Sequence, residues 1–131
     1  MDDRGAPHHA HVYYSDAERA AAAALRDDFV RLATGDGEAP VLFVGRMTEG
    51  GVGPHPIPQF EVHFRAVSLP AVIAAIEGSG LRALVHPLTD DDFADHTRLA
   101  RWIGAPVALD TEALDPPGRN QGVARFGKTD F

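Results

Sequence analysis

The chain contains no cysteine among its 131 residues. That absence excludes a disulfide framework, a thiolate nucleophile, an iron–sulfur cluster and any Cys-ligated zinc site. Positive charge is scarce as well. Twelve lysines and arginines stand against 19 aspartates and glutamates, a net of −7, which gives no electrostatic footprint for nucleic acid or anionic lipid. No apolar run approaches the roughly 20 residues that cross a bilayer. The opening Met1-Asp2-Asp3-Arg4 is acidic and lacks an apolar core, so it does not read as a secretory signal, and cytoplasmic residence is the expectation. Against these absences stand seven histidines. A metal held by this chain must be held by histidine nitrogen and carboxylate oxygen.

The length suits one compact domain, expected over residues 8–114. Residues 1–7 and 115–131 read as flexible or extended termini. The second of these begins Asp115-Pro116-Pro117-Gly118 and holds little apolar surface.

Periodicity predicts the elements in order. Residues 9–14 alternate on a period of two and form a first strand. Ser15, with Glu18 three residues later, is a capping box. It opens a helix whose stripe is Ala22, Leu25, Phe29 and Leu32, closed by Gly35 and Gly37. A second strand covers 41–46. A Gly/Pro-rich loop around His55 leads to a third strand over 60–65. Ser68 caps a second helix that carries Val72, Ile73 and Ile76 and ends at Gly78 and Gly80. The fourth strand covers 81–86. Thr89 is expected to cap a third helix that starts on Asp90-Asp91-Asp92 and runs to Ile103, with Phe93, His96, Ala100 and Ile103 on one stripe. The order β-α-β-β-α-β plus a further helix predicts an α+β, ferredoxin-like antiparallel sheet with strand order 4-1-3-2 and an additional C-terminal helix.

Side chains alternate across a strand, so parity assigns faces. Ala10, Val12 and Tyr14, with Phe60, Val62 and Phe64, are the helix-side set. His9, His11 and Tyr13, with Glu61, His63 and Arg65, then share the open face, joined by Leu84 and His86 from the fourth strand. Three neighbouring strands thus bring four histidines and a carboxylate together. His96 on the third helix and His55 on the loop can close over them. His8 reads as a terminal surface residue, and Tyr14 and Trp102 as core aromatics.

The motifs that carry this constellation resemble a known family. They are His9-Ala10-His11-Val12-Tyr13, Gly53-Pro54-His55-Pro56 followed by Phe60-Glu61-Val62-His63-Phe64, and Val85-His86-Pro87-Leu88-Thr89 followed by Asp95-His96-Thr97 and Trp102-Ile103-Gly104. Together, over residues 8 to about 110, they resemble the DOPA 4,5-dioxygenase family. The resemblance implies extradiol cleavage of a catechol by O2, with non-haem Fe(II) as the expected metal (another divalent ion being the alternative). It also implies a ferredoxin-like fold.

Within that reading His11, His63 and His86 are the expected metal ligands, one from each central strand. The alternative set is two of them with Glu61, a facial triad. His9 and His96 are the acid/base candidates. Tyr13, His55, Glu61 and Arg65 are the candidate substrate-binding groups. The expected partners are a small aromatic diol and O2, without nucleic acid or membrane, and with a homodimer as the expected assembly. The competing reading is a dimeric ferredoxin-like small-molecule or metal-binding protein without catalysis. A phosphoesterase with paired His-x-Thr motifs is disfavoured, because His96-Thr97 and His86-Pro87-Leu88-Thr89 have the wrong spacing. An RNA-binding sheet is disfavoured because Tyr13 is the open face's lone expected aromatic.

Overall fold

The computed structural model describes residues 5–33, 39–51, 53–116, 118 and 126–127. The strands are β1 (Pro7–Tyr13), β2 (Phe43–Val44), β3 (Gln59–Arg65), β4 (Ala83–Pro87) and β5 (Arg101–Ile103). The helices are α1 (Arg19–Leu32), α2 (Leu69–Ser79) and α3 (Asp92–His96). They form one five-stranded antiparallel sheet in the order β2-β3-β1-β4-β5. This is the expected 4-1-3-2 arrangement with one strand added at its outer edge. Among the described residues no helix is long and apolar enough to cross a membrane.

The alternation of β1 and β3 decides what each face carries. Ala10, Val12, Phe60, Val62 and Phe64 are fully buried and meet Ala22, Leu25 and Phe29 of α1 and Val72, Ile73 and Ile76 of α2. Tyr14 joins this core, as expected, and its hydroxyl donates to the Thr48 carbonyl at 2.7 Å. Ser15 opens the chain into α1 through a capping box with Glu18, whose Oε1 accepts the Ser15 N–H at 3.0 Å. Leu32 departs from the expected stripe and is 40% exposed at the last residue of α1. Gly35 and Gly37 lie outside the described residues. α2 ends on Gly80 alone, at φ +77, the left-handed conformation that favours glycine. Gly78 stays inside the helix.

Two elements differ from the sequence reading. The strand expected over 41–46 pairs fully at Phe43–Val44 alone. Its flanks hold to β3 by single bonds from the Leu42 N–H to the His63 carbonyl and from the Gly45 N–H to the Glu61 carbonyl, both 2.8 Å. The helix expected over 89–103 is a five-residue turn. Its N-cap is Asp91, which accepts from the Ala94 N–H at 3.0 Å. Thr89 instead gives its N–H and hydroxyl to the Asp95 carboxylate at 2.9 and 2.6 Å. The chain then turns, and Arg101–Ile103 pairs with the free edge of β4. The β-branched and aromatic pair Trp102-Ile103 gains a strand ladder there, and a helix so short has little cooperative stability to oppose it. The stripe through Phe93, His96, Ala100 and Ile103 therefore does not exist. Phe93 is 51% exposed while His96 is buried.

Candidate metal centre

The sheet's open face carries the histidines, and the register explains how they meet. On β1, His9 lies opposite His63 of β3 and His86 of β4, and His11 lies opposite Glu61 and Leu84. The expected set on three adjacent strands is therefore assembled, and His9, His11, Glu61, His63 and His86 are each no more than 2% exposed. Two further histidines arrive from outside the sheet. α3 presents His96, whose ring lies 4.2 Å from that of His86. The 45–58 loop presents His55, whose ring lies 4.0 Å from that of His11. Gly50, at φ +107, makes that loop possible, since a Cβ there would stand 2.8 Å from the Pro56 carbonyl oxygen. His8 is half-buried in β1 and stacks on Phe64, so it is not a free terminal residue.

Three imidazoles have their Nδ1 tied to an acceptor. The Thr48 hydroxyl donates to the Gln59 carbonyl and must accept from the Gln59 amide nitrogen. This orients Gln59 so that its Oε1 receives the His11 Nδ1–H at 3.2 Å. His86 Nδ1 donates to the Pro87 carbonyl and His96 Nδ1 to the Asp92 carbonyl, each at 2.8 Å. A neutral imidazole protonated at Nδ1 has its lone pair on Nε2. His11 Nε2 and His86 Nε2 stand 2.9 Å apart, so two lone pairs face each other across a gap that a cation would relieve. Burial, then the neighbouring histidines, holds the His11 and His86 pKa well below the ordinary imidazole range. These residues fit a metal, down to the outer bonds that orient metal-bound histidines.

His55 is wired differently. Its Nδ1 lies 2.7 Å from the Tyr13 hydroxyl. Burial pushes the Tyr13 phenol above its ordinary pKa, so the phenol keeps its proton and donates it. The His55 proton then sits on Nε2, which is buried and has no partner. The indole of Trp102 stacks on Tyr13 at 6.1 Å, so Trp102 belongs to the open face rather than to the core.

A cavity of about 210 Å³ opens beside these groups, lined in part by His9, His11, His55, His86, His96 and Asp92. Its outer wall is Ala113–Asp115. That segment is pinned by the Asp110 N–H on the Pro54 carbonyl and the Asp115 N–H on Asp92 Oδ2, both 2.9 Å.

The expected ligands His11, His63 and His86 do not converge as one set. The buried groups whose ligand atoms lie within 4.8 Å of one another are His9–His11–His86, His11–His55–His96 and His9–Glu61–His63. Arg65 and Tyr13 do not line the cavity, and the Arg65 guanidinium lies over Phe126 at 5.8 Å. Gln59 and Asp92 were not singled out from the sequence. Gln59 had a signal, since it precedes Glu61 and His63 on the same strand parity. Asp92 looked like one of three helix-start acids, and the Asp95 carboxylate accepts from Thr89.

Comparison with known proteins places this geometry. The chain is 32% identical to the DOPA 4,5-dioxygenase of Amanita muscaria over 111 residues, 81% of this chain and 48% of that protein. It is 34% identical to an uncharacterized 21.2 kDa protein of Botryotinia fuckeliana, over 76% of this chain and 58% of that protein. The chain thus spans about half the length of the curated relatives it matches. The crystal structure of a "putative dioxygenase" from Nostoc punctiforme superposes with a TM-score of 0.69 at 33% identity, covering 86% of this chain and 95% of that one. The model of the Dopa 4,5-dioxygenase family matches residues 8–113, which include every histidine of the open face. The chain belongs to that family.

Proposed function

We propose that this protein is an extradiol-type ring-cleaving dioxygenase acting on a catechol with non-haem Fe(II) and O2. The observation that carries the reading is the trio His11, His86 and His96. Each has Nδ1 bonded to an oxygen acceptor, and His11 and His86 face each other at Nε2 across 2.9 Å. In this reading His11 and His86 hold the metal and His96 completes the set from the His86 side; its ring lies 4.2 Å from that of His86 and 6.2 Å from that of His11, so the three are not among the groups already gathered within 4.8 Å. His63, expected as a ligand from its strand position, stands apart from the trio. Bound iron supplies the one-electron chemistry with O2 that amino-acid side chains lack.

The chain's own residues do the rest. His55 presents an Nε2–H over the cavity and Tyr13 fixes its ring, so His55 is the proton donor to an oxygen of the substrate. His9, which also lines the cavity, is a second base. Burial lowers the pKa of His9, His11, His55 and His86 well below the ordinary imidazole range, which keeps their lone pairs available. The cavity of about 210 Å³ suits a single ring with a short substituent, since a cavity of about 150 Å³ admits benzene. The Ala113–Asp115 wall keeps bulk water from the ring. The overall reaction takes one catechol and one O2 to one muconic semialdehyde, with both oxygen atoms retained.

The test is anaerobic loading with Fe(II), addition of a catechol panel, and then admission of air. One O2 consumed per ring opened, with a yellow product, is the expected result. Protein that holds one iron per chain and consumes no O2 with any catechol would overturn the activity and leave a metal-binding protein without catalysis.

A further inference from the structure

His9, Glu61 and His63 form a buried cluster, and of the three the proposed chemistry uses His9 alone. Glu61 is 2% exposed, and neither carboxylate oxygen has a hydrogen-bond partner among the described residues. His63 Nε2 lies 3.3 Å from Glu61 Oε1 without hydrogen-bond alignment, and His9 Nε2 is likewise buried and unpartnered. A carboxylate removed from water without donors is strongly disfavoured, so this arrangement calls for a positive charge. One ligand atom from each of the three side chains lies within 4.8 Å of the others. The cluster shares no residue with the trio assigned above.

The His63 side of the cluster is lined by aromatic rings. The His9 and His63 rings stack at 3.8 Å, the Phe43 ring lies 4.8 Å from His63, and Phe126 lies parallel to His63 at 5.9 Å, within 5°. The residue after Phe126 completes the cover. The Gly127 N–H donates to His63 Nδ1 at 2.8 Å. A neutral imidazole has one lone pair in its plane. While Gly127 occupies it at Nδ1, Nε2 carries the proton and cannot ligate. Ligation through Nε2 moves the proton to Nδ1, where it collides with the Gly127 N–H. Cover and cation therefore compete for one histidine.

We propose that His9, Glu61 and His63 are a second divalent-cation site, and that the Phe126–Gly127 segment seals it when no cation is bound. Two imidazoles and one carboxylate are a donor set that suits Fe(II) and its neighbours among the divalent first-row metals. Phe126 and Gly127 lie beyond the family match, which ends at residue 113. Whether the protein cleaves catechols does not bear on this site.

The test is an anaerobic titration of the full chain with Co(II), read by calorimetry and by the visible absorption of the bound ion. The expected result is two equivalents for the wild type and one for Glu61→Gln. Gly127→Pro removes the N–H and cannot adopt the φ of +74 found there. It should tighten the second equivalent about 3- to 10-fold, the worth of one net hydrogen bond, and leave the first unchanged. His63→Gln serves as a second variant if Glu61→Gln folds poorly by circular dichroism. One equivalent in both wild type and Gly127→Pro overturns the site. A second equivalent that survives both Glu61→Gln and His63→Gln overturns the ligand assignment, and an unchanged affinity in Gly127→Pro overturns the seal.

Discussion

His11 and His86 approach each other at 2.9 Å through Nε2 while Gln59 and the Pro87 carbonyl hold their Nδ1 protons. The pair is locked in an arrangement that repels itself without a cation. β1 and β4 impose the approach through their antiparallel pairing, so the strain is carried by the sheet and not by a loop.

Gln59→Leu removes the acceptor that fixes the His11 tautomer but keeps the side chain's bulk. Metal affinity should fall about 10- to 100-fold, as for other partners that orient a metal-bound histidine. A chelator-competition titration measures it. An unchanged affinity would remove His11 from the ligand set.

His55→Gln separates a proton donor from a ligand. Turnover should drop about 100-fold or more, with iron content still near one per chain. Parallel loss of iron would make His55 a ligand instead. Tyr13→Phe leaves His55 Nδ1 buried without its donor, at a cost of about 1–3 kcal/mol in folding stability, measurable by urea unfolding.

The metal-free protein should lose stability in mild acid. Burial, then the charges of neighbouring histidines, lowers the pKa of His9, His11 and His86, and burial followed by His96 and His86 lowers that of His55. In the unfolded chain these groups protonate near pH 6.5. Below that pH the unfolded state binds more protons than the folded one, so stability is full above about pH 6.5 and falls as the pH drops toward the lowered folded values. Each histidine contributes up to about 1.4 kcal/mol per pH unit. Urea midpoints measured from pH 8 to 5 should be flat above pH 7 and fall steeply below it. A midpoint that rises on acidification would contradict the neutral, lone-pair-bearing state of the cluster.

Much of this arrangement was legible in the sequence because a strand has a period of two. Once Val12 and Phe60-x-Val62-x-Phe64 claim the core, His9, His11, Glu61 and His63 have nowhere to go but the opposite face, and strand order makes them neighbours. Which of them converge was not legible, since that depends on ring orientations set by distant partners. Gln59 and the Pro87 carbonyl are side-chain and main-chain details that no spacing encodes. The third helix failed for a different reason. Its polar first turn and apolar spacing are real local signals, but the open edge of β4 offers Arg101–Ile103 a hydrogen-bonded ladder that propensity cannot foresee. The tail was expected to be flexible or extended; its Asp115 and Gly127 N–H groups, which any sequence supplies, bond Asp92 and His63, and Phe126 lays its ring along His63.

The short α3 presents His96 from a turn whose N-cap is Asp91. Asp91 accepts the Ala94 N–H, and the Asp92 carbonyl one residue later holds His96 Nδ1. Asp91→Ala should cost about 1 kcal/mol of stability, the usual worth of an N-cap, because a five-residue turn has no long hydrogen-bond ladder to compensate. If His96 is a metal ligand, the same change should loosen its ring and raise the metal dissociation constant. Asp91→Asn, which retains an acceptor oxygen, should restore both. Urea unfolding of the metal-free protein beside chelator competition on the loaded protein separates the two effects. A stability loss with unchanged metal affinity would leave α3 as a structural cap and remove His96 from the metal's ligands.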